Sequence, residues 1–233
     1  MSMPFYVSPE QLMQDKAEYA RKGIARGKSI VSLEYADGIL LMAENPSSSL
    51  SKIGEIYDRL AFAGVGKFAE FDQLRKVGVR YADVKGYQYS RDDVRGKALA
   101  NAYSQAIGEI FTREWKPLEV ELIVAEVGDD RLAGHEKNAI YRVQFDGSIS
   151  DHTGYCVIGG GVDSLLSYLS TNYKPGLPLG EALRLGKAAL ERAVNGDFRL
   201  DVQNLEVGVL ERQRAGRKFR RLSADELRGI LAP

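Results

Sequence analysis

The stretch IVSLEYADGILLMA, residues 30–43, joins two apolar runs through an Asp-Gly dipeptide. Asp-Gly accommodates the backbone angles of a tight turn, so this stretch predicts a β-hairpin. Upstream, SPEQ at residues 8–11 has the spacing of a capping box with a proline in the first turn, which predicts a helix start. Gly23 and Gly27 then end the helical pattern. We therefore expect a helix that leads directly into a hairpin.

Further along the chain, groups of predicted strands alternate with pairs of predicted helices. The first group comprises strands over 52–57 and 60–65, a helix through Phe68, Phe71 and Leu74, and a longer helix from near Ser90 to just before Pro117. The second comprises strands over 120–124, 140–145 and 155–158, helices over 162–173 and 179–194, a hairpin of 205–210 with 218–222, and a last helix capped by Ser223 and Glu226.

This order of elements favours mostly antiparallel sheets with helices covering their outer faces, because a parallel sheet would need strict alternation of strand and helix. We therefore predict an α+β fold. A single domain is expected over residues 8–233, with residues 1–7 as a short N-terminal segment.

The composition excludes several classes of protein. Lys and Arg total 32 and Asp and Glu total 32, a balance that argues against binding to nucleic acid, which usually needs a strongly basic surface. The apolar runs are strand-sized, shorter than the roughly 18 residues of a membrane span, and the first residues do not resemble a secretion signal. The single Cys156 excludes an internal disulfide. A cytoplasmic protein is expected.

Motifs for catalysis and metal binding are incomplete in this chain. AFAGVGKF at residues 61–68 lacks the first glycine and the Ser or Thr of a phosphate-binding loop. His135-Glu136 is followed by Ala139 where a zinc-protease helix needs a second histidine. Neither a metal nor a cofactor is therefore expected.

Three other features have structural interpretations. Cys156 lies within a predicted strand and is expected in the core. Gly159–Gly161 is interpreted as close packing at a strand-to-helix turn, with binding of an anion by backbone amides at the helix start as the alternative. The basic run over residues 212–221 spans a predicted hairpin, where solvation or a subunit contact is the favoured interpretation and binding of a polyanion the alternative.

Blocks along nearly the whole chain resemble the α subunits of the 20S proteasome in their actinobacterial form. These blocks are residues 8–20, 22–23, 36–38, 43–46, 52–58, 64–71, 158–163 and 179–190. The resemblance implies a four-layer αββα sandwich of the N-terminal nucleophile hydrolase type with an extra N-terminal helix. It also implies that this chain forms a heptameric ring that caps rings of proteolytic β subunits. Such a ring gates the entry of protein substrates for degradation. It also docks an ATPase ring or other activator, which binds through the activator's own C-terminal tail.

The resemblance also bears on catalysis. In the related β subunits, a processed terminal threonine attacks the peptide and its own amine serves as the base. Lys28 stands at the threonine position here, and a helix is still attached before it. Glu44 and Lys52 fall on the positions of the catalytic acid and lysine. We therefore expect a non-catalytic subunit, with a catalytically active N-terminal nucleophile amidohydrolase as the alternative.

Two sets of residues are expected to carry the subunit's functions. Lys52 resembles the lysine at the base of pockets between neighbouring α subunits, where it pairs with the terminal carboxylate of an activator. Residues 1–7 correspond to the segment that closes the axial pore. Its apolar side chains, which we expect to form the gate, are those of Met3, Phe5, Tyr6 and Val7.

Overall fold

The computed structural model describes residues 8–132, 134–193 and 199–231. Its helices are α1 (Pro9–Ala25), α2 (Phe68–Gln88), α3 (Gly96–Arg113), α4 (Val162–Asn172), α5 (Leu179–Arg192) and α6 (Ala224–Leu231). Its strands are β1 (Ile30–Tyr35), β2 (Gly38–Glu44), β3 (Ile53–Tyr57), β4 (Leu60–Gly66), β5 (Val120–Glu126), β6 (Ala139–Val143), β7 (Ile149–His152), β8 (Tyr155–Ile158), β9 (Leu205–Glu211) and β10 (Phe219–Arg221). The expected gate residues Met3, Phe5, Tyr6 and Val7 lie outside the described residues, as does the predicted helix end at Val194.

The strands form two five-stranded antiparallel sheets. One has the order β10-β9-β2-β1-β8 and the other the order β3-β4-β5-β6-β7. The predicted hairpin forms the centre of the first sheet, with Tyr35 opposite Gly38 at its turn. Gly38 has a φ of 158°, and a side chain there would place its Cβ 1.8 Å from the carbonyl oxygen of Leu210. Glycine is therefore required by the close approach of β9.

Three apolar clusters give the molecule four layers. Between the sheets, Ile30, Ile123 and Ile158 belong to one fully buried cluster. A second cluster packs the outer face of the first sheet against α4, α5 and α6. The third packs the outer face of the second sheet against α2 and α3. The predicted α+β sandwich is confirmed.

Helix α1 is fixed at its start and along its buried side. The hydroxyl of Ser8 accepts a hydrogen bond from the backbone N–H of Gln11 at 3.2 Å, as the capping pattern predicted. The Gln11 side chain does not return to the cap and donates instead to Asp15 at 2.8 Å. Lys16 is buried and donates to the backbone carbonyls of residues 111 and 114, at the end of α3. These bonds hold the extra N-terminal helix on the body of the sandwich.

The structure differs from the prediction at two elements, α3 and β7. The helix expected from Ser90 begins six residues later, because Ser90 caps a short 3-10 turn by accepting from the Asp92 N–H at 3.3 Å. That helix, α3, is shorter than α2, although the pattern predicted it to be longer. Strand β7 was not predicted, because only one of its four residues is apolar and it lies at a sheet edge.

Residues 212–221 are largely ion-paired within the chain. The Arg217 guanidinium lies 2.6 Å from Glu55, and the Arg212 guanidinium lies 2.7 Å from Asp130. Lys218 is only 2% exposed and donates to two backbone carbonyls. The interpretation as a solvated run is therefore wrong for Lys218, and the acidic partners weaken the polyanion alternative.

Cys156 and the glycines before α4 have the structural roles that the sequence predicted. Cys156 is fully buried in β8, and burial raises the pKa of its thiol to about 12, which keeps it protonated. A side chain at Gly160 would place its Cβ 2.7 Å from the carbonyl oxygen of Ala25. The glycines therefore allow the end of α1 to pack closely against this turn.

A buried cluster of charges connects β5 to α3 and to the β3–β4 turn. Glu126 is 3% exposed and accepts from Arg59 at 3.2 Å, from Arg95 at 3.0 Å and from the N–H of Gly96 at 2.7 Å. This carboxylate both caps α3 and compensates the buried Arg59. The ring of His135 lies beside the cluster, and burial lowers its pKa.

We predict that Glu126→Ala lowers the free energy of unfolding by about 3–5 kcal/mol, because it leaves Arg59 buried without its carboxylate. Urea unfolding would measure the change, with the wild type and the variants compared in the same assembly state. Glu18→Ala, which removes an exposed carboxylate from Lys22, is the control and should leave the midpoint unchanged. Equal midpoints for Glu126→Ala and the wild type would contradict the stabilising role of the cluster.

Candidate functional site

The candidate site lies where α1 passes into β1 at one end of the first sheet. Helix α1 ends at Ala25, and the N–H of Gly27 donates to the carbonyl of Ile24 at 2.9 Å, which closes the last turn. A side chain at Gly27 would place its Cβ 2.6 Å from Val65. Because Gly27 has no side chain, the chain can pass close to β4 between the end of α1 and Lys28.

Lys28 and Glu44 form an ion pair across the start of the hairpin. The Lys28 ammonium lies 3.1 Å from a carboxylate oxygen of Glu44, the last residue of β2. The lysine side chain is 50% exposed and the glutamate side chain 14% exposed. A cavity of about 250 Å³ opens beside the pair, with the glycines before α4 on its other side.

Lys52 approaches the same pair from the start of β3. Its ammonium donates to the backbone carbonyl of Lys28 at 3.1 Å and to that of Glu44 at 3.0 Å. An ammonium has three N–H donors, so these two bonds leave one for a ligand. Lys52 therefore reaches the site while being held by the backbone on both sides of the ion pair.

Burial lowers the pKa of the Lys52 ammonium to about 8. The carboxylates of Glu206 and Glu44 oppose this shift, and the nearby Lys28 adds to it. The cation therefore persists at neutral pH and is lost as the pH rises through about 8.

The three residues that the resemblance aligns with the nucleophile, acid and lysine of the β subunits meet in the structure. Lys28, Glu44 and Lys52 lie together, whereas Cys156 is enclosed in the core, as predicted. Sequence reasoning missed Glu206, which accepts the backbone N–H of Lys52 at 2.8 Å from 154 residues further along the chain. No local motif marks that glutamate, because its role depends on the pairing of β9 with β2.

The arrangement suits the binding of an anion at a positioned ammonium. A terminal nucleophile would need a free backbone amine at Lys28. The backbone nitrogen of Lys28 is instead part of a peptide bond, because the chain runs from α1 into this residue. Within the described ranges, no cluster of His, Cys, Asp and Glu side chains is arranged to hold a metal ion. None of the helices over those ranges is long and apolar enough to cross a membrane.

Comparisons with known proteins show which family this chain is similar to. A family model described as "Proteasome subunit" matches residues 24–210. A protein of Kineococcus radiotolerans named "Proteasome subunit alpha" is 54% identical over 238 residues, which cover 100% of this chain and 99% of the relative. A protein of Thermomonospora curvata with the same name is 54% identical over 232 residues, again covering 100% of this chain and 99% of the relative.

A third relative, from Geodermatophilus obscurus, is also named "Proteasome subunit alpha". It is 50% identical over 238 residues, which cover 99% of this chain and 82% of the relative. The match therefore extends across the α1–β1 junction and both sheets. The chain belongs to the proteasome subunit family, among the α subunits of the actinobacterial type.

Proposed function

We propose that this chain is a non-catalytic α subunit of a bacterial 20S proteasome core. It assembles into a heptameric outer ring, caps rings of proteolytic β subunits, controls the entry of protein substrates and docks activators. The observation that carries the proposal is the position of Lys28, which replaces the nucleophile and follows α1 without a break in the chain. The subunit acts in the cytoplasm.

The contacts around Lys28 support a structural use of the former catalytic positions. A terminal nucleophile needs a free amine close to its own side chain. Glu44 is instead paired with the Lys28 ammonium, and Lys52 donates to two backbone carbonyls. The alternative, an active amidohydrolase, has no nucleophile at this position and is not favoured.

The exposed face of α2 supports docking of a partner subunit. Large apolar side chains that lie about half or more in solvent follow one another along this helix and just beyond its end. They are Val77 at 48%, Val84 at 49%, Tyr87 at 92% and Tyr89 at 74% exposure. Such a patch on one helix is typical of a protein interface. We assign this face to the contact with the β ring.

We predict that the isolated chain hydrolyses no peptide and that activity appears only when the β subunit is added. Val84→Asp should prevent the gain, because it places a charge in the apolar contact. Fluorogenic peptide hydrolysis and native mass measurement of the complex would follow both effects.

Ser164→Asp is the matched control, because it adds the same charge at an exposed position on α4. It should leave co-assembly intact. Turnover by the isolated chain that disappears on mutation of Lys28 or Lys52 would contradict a non-catalytic subunit. Normal co-assembly of Val84→Asp would contradict the assignment of the α2 face.

We propose that Lys52 binds the terminal carboxylate of an activator's tail. Its backbone contacts fix the ammonium, and one N–H remains for an acceptor. A carboxylate facing this partly buried cation would form a charge-assisted hydrogen bond. The proposed pocket is completed by the neighbouring subunit of the ring.

Lys52→Ala should weaken activator binding by about 1.5–3 kcal/mol per engaged site, because it removes the charged donor. Ring assembly should be unchanged, since the ammonium bonds carbonyls at the surface of one subunit. Lys174→Ala, which removes an exposed lysine just beyond α4, is the control. Binding would be measured by titrating the assembled particle with activator. Equal affinities for Lys52→Ala and the wild type would refute the assignment.

We propose that residues 1–7 form the gate, with Met3, Phe5, Tyr6 and Val7 as its apolar contacts. The helix cap at Ser8 gives this segment a sharp boundary. Seven copies around one axis would obstruct entry by bulk and by apolar clustering.

Deletion of residues 2–7 should therefore speed hydrolysis of a large peptide by the assembled complex. The rate of hydrolysis of a small peptide should stay unchanged, as should inhibition of the β active sites by small inhibitors. Parallel assays normalised to active-site content would measure both rates. A large-peptide rate that does not rise relative to the small-peptide rate would exclude these residues as the gate.

A further inference from the structure

Glu206 on β9 accepts hydrogen bonds from four donors, two at the start of β3, one just after β2 and one on β10. Its Oε2 accepts from the backbone N–H of Lys52 at 2.8 Å and from the side-chain amide of Asn45 at 2.7 Å. Its Oε1 accepts from the N–H of Ile53 at 3.1 Å and from the guanidinium of Arg221 at 2.6 Å. Both carboxylate oxygens are thus used twice, which fixes the orientation of the group.

These bonds hold the backbone from which the Lys52 side chain leaves. The carbonyl of Lys52 accepts from the N–H of Gly64 at 3.0 Å, so β4 holds one side of the residue. Glu206 holds the N–H side from the other sheet. Because the Cα–Cβ direction follows from the backbone, the side chain is aimed at the carbonyls of Lys28 and Glu44.

We propose that Glu206 is the positioning residue of the carboxylate-binding site at Lys52, fixing the lysine through two backbone N–H groups and placing a negative charge near its ammonium. The inference rests on the role proposed above for Lys52. Arg221 pairs with Glu206, so the site does not present an uncompensated negative charge to an incoming carboxylate.

Charged groups on three segments act on the Lys52 ammonium. Glu206 and Glu44 hold its pKa up against the effect of burial, and Lys28 holds it down. Arg221 on β10 offsets part of the charge of Glu206. Since the pKa of Lys52 is already lowered to about 8, loss of the Glu206 charge would remove the cation from part of the sites at neutral pH.

The test uses the assembled particle of this chain with its β partner. The probe is a fluorescein-labelled peptide, Gly-Ser-Gly-Ala-Tyr-Leu, with a free terminal carboxylate, and the same peptide with a terminal amide is the reference. Fluorescence polarisation would give the affinity of each between about pH 6.5 and 9.5, a range that brackets the Lys52 transition. Native mass measurement would verify that each variant particle is assembled.

For the wild type, we expect the affinity of the carboxylate peptide to fall as the pH rises through about 8, while the amide peptide shows no such fall. Glu206→Gln should weaken the carboxylate peptide about tenfold at neutral pH and move the midpoint of the fall down by about one unit. Glu55→Gln changes a carboxylate on β3 that pairs with Arg217, and this variant should behave as the wild type.

Arg221→Met provides a second variant with an effect of opposite sign. It keeps Glu206 and removes the cation that offsets the charge of Glu206. The pH midpoint of the fall in affinity should therefore move up. This variant keeps the inference testable if Glu206→Gln does not assemble, and an unchanged or lower midpoint would then overturn the inference.

The outcomes separate the inference from the function on which it rests. If Lys52→Ala binds the carboxylate peptide as the wild type does, or if the wild type does not bind it, the proposed role of Lys52 fails. If Lys52→Ala loses the preference for carboxylate over amide but an assembled Glu206→Gln keeps both affinity and midpoint, only the role of Glu206 fails. If Glu206→Gln loses affinity tenfold but the pH midpoint of the fall does not move, the electrostatic effect of Glu206 on Lys52 is overturned.

Discussion

The peptide bond between Gly27 and Lys28 is the constraint on which the site depends. It keeps α1 attached to β1, so the backbone nitrogen of Lys28 is an amide and cannot act as a terminal base. The lysine buried in α1 and the close packing of Gly160 against Ala25 then fix the junction from two sides. The same attachment places Ala25, Gly27 and Lys28 along the cavity beside the ion pair of Lys28 with Glu44.

Most of the fold was predictable because its signals are local. The Asp-Gly turn, the cap at Ser8 and the reciprocal bonds between Ser223 and Glu226 all depend on residues a few positions apart. The start of α3 was not predictable, because its N-terminal N–H is capped by Glu126 from a later strand. Strand β7 carries little apolar pattern, since an edge strand buries few side chains.

The candidate site divides in the same way. Lys28, Glu44 and Lys52 lie in or directly beside one hairpin and the strand that follows. Their positions are close in the sequence, which makes their juxtaposition less dependent on distant strand pairing. Glu206 and Arg221 reach the site through the pairing of β9 with β2 and β10, which only the assembled sheet displays. The charge composition did not indicate the pairing of Glu206 with Arg221 either, because a net charge of zero does not show which side chains form ion pairs.

Partial burial of a lysine has different consequences for catalysis and for binding. A catalytic lysine gains from a lowered pKa, because the neutral amine can take a proton. A lysine that binds a carboxylate must remain charged, so the same burial limits the pH range in which it works. Around Lys52, two carbonyls and the carboxylates of Glu206 and Glu44 offset the loss of water. The surroundings of Lys52 are thereby suited to holding a fixed charge, and the acidic side chains around it help to set the highest pH at which that charge persists.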